Sequence, residues 1–158
     1  EIGVHMLDLV RFLTGEEVST VRCTMDILPS AGPETSASVD LTTGGGTVCR
    51  IEIARVPVGR IGRAVWSGSH GRLEADWGQR QLHCSDETGT TDFDRPPAQT
   101  VLATLTAFLQ AVNDDTPMPI TGEDGFRAVE IAEACYRSAQ AGGAPVTLPV
   151  LPSHSATM

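Results

Sequence analysis

No lysine occurs among the 158 residues, so all 11 basic side chains are arginines, and against 20 acids they leave a formal charge of -9. An acidic surface repels a phosphate backbone, which argues against nucleic acid as a partner. Cys23, Cys49, Cys84 and Cys135 form no C-x-x-C pair and have no histidine at ligand spacing. Structural zinc is therefore not expected, no metal ligands are assigned, and the thiols read as reduced interior groups. No apolar run approaches the roughly 20 residues of a membrane span, and no segment has the layout of a signal peptide. A cytoplasmic protein is the expectation, with no membrane partner. No G-x-G-x-x-G follows a strand and opens a helix, so no dinucleotide-binding fold is expected within these residues. Internal repeats and low-complexity tracts are also lacking.

What is present suffices for one sizeable core: 41% of the residues are hydrophobic, and the natural reading is a single domain over 1–150 with a flexible polar tail over 151–158. The chain starts with Glu1 inside an apolar helical pattern with no cap before it, so it reads as a piece of something longer. A helix closes at Gly15. Residues 18–27 alternate and are rich in β-branched side chains, which predicts a strand; a loop follows over 29–34. Two more alternating runs, 36–42 and 47–56, flank Gly44-Gly45-Gly46 as a hairpin would. Residues 63–76 read as strand, glycine turn and strand, with 79–84 extending the meander. Gly68 and Gly71 fit a hairpin turn better than a phosphate loop, because no helix N-terminus follows them.

Val101, Leu102, Leu105, Phe108, Leu109 and Val112 recur at steps of three and four, which predicts an amphipathic helix over 98–113 packed on a sheet. Pro117 and Pro119 break it. Thr121 supplies a helix cap with Glu123 and Asp124 in the first turn, and Ala128, Val129, Ile131, Ala132, Cys135 and Tyr136 line a second helix ending near Gly142-Gly143. A short strand over 146–148 closes the pattern. The order of elements predicts an α+β domain, an open, mostly antiparallel β-sheet with helices on one face.

The chemistry concentrates at the start. In Glu1-Ile-Gly3-Val-His5-Met-Leu-Asp8 the spacings i,i+4 and i,i+3 put an acid, a histidine and a second acid on one flank of a helix. Histidine titrates near neutrality, and a neighbouring carboxylate can fix its tautomer, so the trio can move a proton. A buried, hydrogen-bonded and inert histidine would give the same pattern. His70, His83 and His154 have no carboxylate at helical spacing and read as surface residues, and Trp66 and Trp77 as sheet-packing groups.

Three landmarks together resemble one family. Glu1-Ile-Gly3-Val-His5-Met-Leu-Asp8-Leu-Val-Arg11-Phe-Leu13-Thr-Gly15 is similar to the D-x-G-x-H-x-x-D-x-x-x-x-L-x-G stretch of the glucose-fructose oxidoreductase, inositol dehydrogenase and MocA (Gfo/Idh/MocA) family. Gly68-Ser-His-Gly71-Arg-Leu73-Glu74 resembles its G-x-x-G-x-L-E turn. The segment from Thr121-Gly-Glu-Asp124-Gly125 to Tyr136-Arg-Ser138-Ala resembles its late T-G-E-D-G helix. The resemblance implies a glyceraldehyde-3-phosphate dehydrogenase-like C-terminal domain. The resemblance implies that such a domain binds a sugar, inositol or related polyol and packs into a homodimer or homotetramer through its open sheet. NAD or NADP would be held by an N-terminal Rossmann domain outside these residues. It further implies that His5 takes or returns the substrate hydroxyl proton. Glu1 stands where the family has aspartate to orient the hydroxyl or the histidine, and Asp8 orients His5 or caps a neighbouring element. Arg11 reads as a solvated or salt-bridged helix residue rather than a substrate clamp. The family's catalytic lysine, in an E-K-P segment of the cofactor domain, has no counterpart here, so these residues alone should bind no dinucleotide and turn over no substrate.

The rival reading is a non-catalytic binding or assembly domain without a cofactor module. A third is a reductase of this family acting on a non-sugar ring such as biliverdin or an aromatic dihydrodiol. The coding sequence upstream of Glu1 separates the first two: a G-x-G-x-x-G unit followed by E-K-P favours the enzyme.

Overall fold

A computed structural model describes residues 2–26, 34–55, 62–94, 96 and 98–149 of the chain. In chain order the elements are α1 (Ile2–Thr14), β1 (Val18–Asp26), β2 (Ser36–Thr43), β3 (Val48–Ala54), β4 (Arg63–Gly68), β5 (Gly71–Asp76), β6 (Gln81–Asp86), β7 (Gly89–Asp94), α2 (Thr100–Asp114), α3 (Gly122–Gln140) and β8 (Val146–Thr147). They fall into two compact units, residues 1–55 with 120–158, and residues 56–119. The expected loop over 29–34 lies almost wholly outside the described residues, as do Glu1, His154 and the tail over 151–158.

The first unit is a helix-covered antiparallel sheet in the order β3-β2-β1-β8. Strand alternation sends Val21, Cys23, Val39 and Leu41 to one face, where α3 lies over β1 and α1 packs on α3 and β3. Arg22, Asp40 and Arg50 stand in one cross-strand row on the opposite face. Leu7 of α1 and Ile131 of α3 complete the core between helices and sheet. Gly3 lets α1 approach β3 closely, since a Cβ there would sit 3.2 Å from Ile53 Cδ1. Ser138, fully buried, ties α3 to β1 and to the chain leading into β8: its hydroxyl accepts from the Cys23 N–H at 2.9 Å and donates to the Ala144 carbonyl at 2.6 Å. Burial pushes the Cys135 thiol up to about 12, so it is an interior packing group and not a nucleophile.

The helix cap expected at Thr121 forms, and Asp124 makes it a capping box. The Thr121 hydroxyl accepts from the Asp124 N–H at 3.3 Å, and the Asp124 carboxylate accepts from the Thr121 N–H at 2.8 Å. The Thr121 N–H, and its hydroxyl at 2.7 Å, both donate to the Asp124 carboxylate and hold that carboxyl below its usual value. Thr121→Ala should cost about 1 kcal/mol in chemical denaturation, and Thr121→Ser should restore most of it.

The second unit is a meander, β4-β5-β6-β7, all antiparallel, together with α2. The turn at 68–71 is a plain hairpin, as read from the sequence. Gly71 has φ +146, and a Cβ there would meet the Ser85 carbonyl at 2.4 Å, so glycine is required. β7 was not foreseen; it extends the meander by one strand. One face of this sheet carries Arg63, Arg72, Glu74 and His83, and the other carries Trp66, Leu73, Ala75 and Leu82. None of these is fully buried.

The helix over 100–114 exists, but its expected packing on a sheet is corrected. Leu105, Phe108 and Leu109 are exposed, and Ala111 is the only buried side chain of α2. The periodicity marked an apolar face; a periodicity carries no information about what covers that face.

Candidate active-site face on the first helix

Because Leu7 and Val10 turn inward to the core, the helical period carries His5, Asp8 and Phe12 to the outward side of α1. The ring of His5 is exposed and has no hydrogen-bond or ion-pair partner among the described residues. A buried, inert histidine would have shown the opposite. An imidazole so placed can accept a proton from a hydroxyl brought to it and return it.

Asp8 does not engage His5. Its carboxylate accepts from Arg11 Nη1 at 3.3 Å, one turn along the helix, so its place is in a charge cluster beside the histidine. Glu1 lies outside the described residues.

Arg11 is the centre of that cluster and fixes α1 in place. Its side chain is 9% exposed. Its fork grips Glu17 through Nε at 2.9 Å and Nη2 at 2.7 Å, and reaches the start of α3 at the Asp124 carbonyl, 3.3 Å, and carboxylate, 3.4 Å. The Arg11 hydrogen bonds hold the Glu17 carboxyl below the usual range. Of the two expectations for Arg11, solvated or salt-bridged, the structure shows the second. Glu17 and Asp124 went unrecognised as partners of Arg11 because their meeting depends on the fold.

A second unread pair is His83 with Asp92, Nδ1 to Oδ1 at 2.5 Å, joined across β6 and β7 at one register position. A search at helical spacing could not find it. Arg63 and Arg72 both pair with Glu74 on the same face. Among the described residues no three His, Cys, Asp or Glu side chains come together as a metal site. No helix among them is long and apolar enough to cross a membrane.

The glycine turns at 44–46 and 68–71 join antiparallel strands. The N-terminus of α3 is closed by its own capping box, with Glu123 and Asp124 in its first turn, where a phosphate would be repelled.

Against known proteins, residues 1–148 match the oxidoreductase family, C-terminal alpha/beta domain of the Gfo/Idh/MocA group. Inositol 2-dehydrogenase of Rhizobium meliloti (strain 1021) is 30% identical over 154 residues, covering 87% of this chain and 46% of that protein. An oxidoreductase from Agrobacterium radiobacter, solved with NAD+, L-tartaric acid and magnesium, superposes with a TM-score of 0.80 at 20% identity, over 93% of this chain and 48% of that one. An aldose-aldose oxidoreductase from Caulobacter crescentus, solved with glycerol, gives 0.81 at 22% identity, over 92% and 46%. At these identities the solved structures speak for the fold. The chain spans about half the length of the relatives it matches.

Proposed function

We propose, from the premise that this chain belongs to the Gfo/Idh/MocA oxidoreductase family through its C-terminal α/β domain, that it is the substrate-binding half of an NAD(P)-dependent dehydrogenase acting on the CH–OH group of a sugar, inositol or related polyol. The observation that carries this reading is His5, presented to solvent on the outward side of a helix that Arg11 clamps in position. When bound in the part of the protein beyond these residues, the nicotinamide supplies the hydride acceptor. His5 supplies the other half of the reaction. As the carbon loses hydride, the hydroxyl proton passes to an imidazole nitrogen, the C–O single bond becomes a carbonyl, and in the reverse direction the imidazolium returns the proton. Glu1, four residues before His5 in sequence, helps orient the hydroxyl or the ring, and Asp8 acts on the site only through Arg11 and the setting of α1. The 30% identity to an inositol 2-dehydrogenase favours a cyclic polyol over the non-sugar rings, and free thiols at all four cysteines suit a cytoplasmic setting. The test is turnover by the full-length protein with inositols and aldoses, and its loss in His5→Asn; an enzyme indifferent to that exchange overturns the reading.

The same reading includes assembly. In the β4–β7 sheet the face bearing Trp66, Leu73, Ala75 and Leu82 is only half-buried among the described residues, and apolar sheet faces need a partner. A second copy placed face to face satisfies it, giving a homodimer or homotetramer. Light scattering on the full-length protein should return twice or four times the chain mass; a monodisperse monomer overturns this part.

A further inference from the structure

Arg11 anchors α1 through charge, but it lies six residues beyond His5, about 9 Å along the helix axis at roughly 1.5 Å per residue. Gly3 is much closer, two residues before the histidine and about 3 Å along the same axis. At roughly 100° per residue Gly3 shares a line with Leu7 and Val10, the inward side, and stands about 200° from His5. Its contact is with β3, where Ile53 pairs with Ala37 and so lies on the core side of the sheet. The height of the first helical turn above the sheet is therefore set beside the histidine, by a residue without a side chain.

The backbone does not call for glycine at this position. Gly3 lies within α1 and has no left-handed φ, and glycine in a helix interior is less stable than alanine. Space does call for it: a Cβ there would meet Ile53 Cδ1 at 3.2 Å, inside the roughly 3.5–4.0 Å at which carbon atoms rest against one another. Ile53 is branched at Cβ, so its χ1 is stiff and only the terminal methyl can turn aside.

We propose that Gly3 is a positioning residue for His5: seated against Ile53, it fixes the depth of the first turn of α1, and with it the point at which the imidazole meets the substrate hydroxyl. The inference rests on the reading above, in which His5 moves the hydroxyl proton. That transfer needs the two heavy atoms within about 2.6–3.2 Å, and a misplacement of about 1 Å can cost about a hundredfold in rate. A shift of a few tenths of an ångström is one the reaction registers.

Gly3→Ala in the full-length protein tests it. With an inositol or aldose that the wild type turns over, kcat should fall about tenfold, and dinucleotide affinity should stay within about twofold. The denaturant midpoint should be no lower than that of the wild type, since alanine favours the helix. A glycine needed only for folding would show the reverse, a lowered midpoint with normal turnover by the folded fraction. Ile53→Val removes Cδ1, so the double variant Gly3→Ala, Ile53→Val should regain turnover to within about threefold of Ile53→Val alone. A loss that Ile53→Val leaves uncorrected overturns the inference. An active wild type with an indifferent Gly3→Ala removes this inference alone, whereas a wild type that turns over no inositol or aldose removes the enzymatic reading and this inference with it.

Discussion

On the proposed reading, His5→Asn in the full-length protein should lower turnover by about 10² to 10⁴-fold and leave dinucleotide affinity within about twofold. Asparagine preserves a polar side chain of similar reach, so a substrate hydroxyl still finds a hydrogen-bond partner, but the amide cannot accept the proton as hydride departs. The effect therefore falls on kcat more than on KM. An exposed residue with no described partner contributes little to stability, so the variant should unfold within about 0.5 kcal/mol of the wild type. That separation distinguishes lost chemistry from a damaged fold. Unchanged turnover, or a loss that tracks weakened dinucleotide binding, removes His5 from proton transfer.

How legible this chain was depends on the range of the interaction in question. α1, the hairpin between β2 and β3, the turn at 68–71 and the capping box of α3 all rest on contacts within a few residues, and periodicity, glycine placement and the Thr121–Asp124 spacing disclose them. β7 escaped although Thr91 and Phe93 alternate with polar residues, because the run is short and begins directly after a polar turn. The placement of Asp8 turned on Arg11, and that of Arg11 on Asp124, 113 residues away, a distance no local pattern spans. Helical spacing allowed Asp8 to reach either His5 or Arg11. A guanidinium already fixed by Glu17 is the stronger attractor, and the carboxylate goes there. The apolar stripe of α2 was read correctly as a stripe and wrongly as a packed one, since amphipathicity reports a preference for burial and not its fulfilment.

The second large effect expected is on stability. Arg11→Ala should destabilise the fold by about 2–3 kcal/mol in denaturant unfolding. Removing a guanidinium that is 9% exposed strands Glu17 and loosens α1 from the start of α3. The cost stays below that of a wholly buried pair because Glu17, Asp124 and Asp8 are 24, 36 and 43% exposed and can regain water. Arg11→Lys should recover only part, as a point charge cannot make the two parallel bonds to Glu17. Acid supplies the independent check. Glu17 and Asp124 ionise more readily folded than unfolded, so their contribution is complete above about pH 5 and is lost as the pH falls below the ordinary values of 4.5 and 3.8 toward the folded ones. In Arg11→Ala the shift at Glu17 loses its main cause, whereas Asp124 keeps the bonds from Thr121. The unfolding free energy of the variant should therefore fall less steeply than that of the wild type between pH 5 and 3, and the two curves should approach each other in acid. Parallel curves across that window would show that Arg11 supports the fold by packing alone, and the clamp that presents His5 would lose its electrostatic basis.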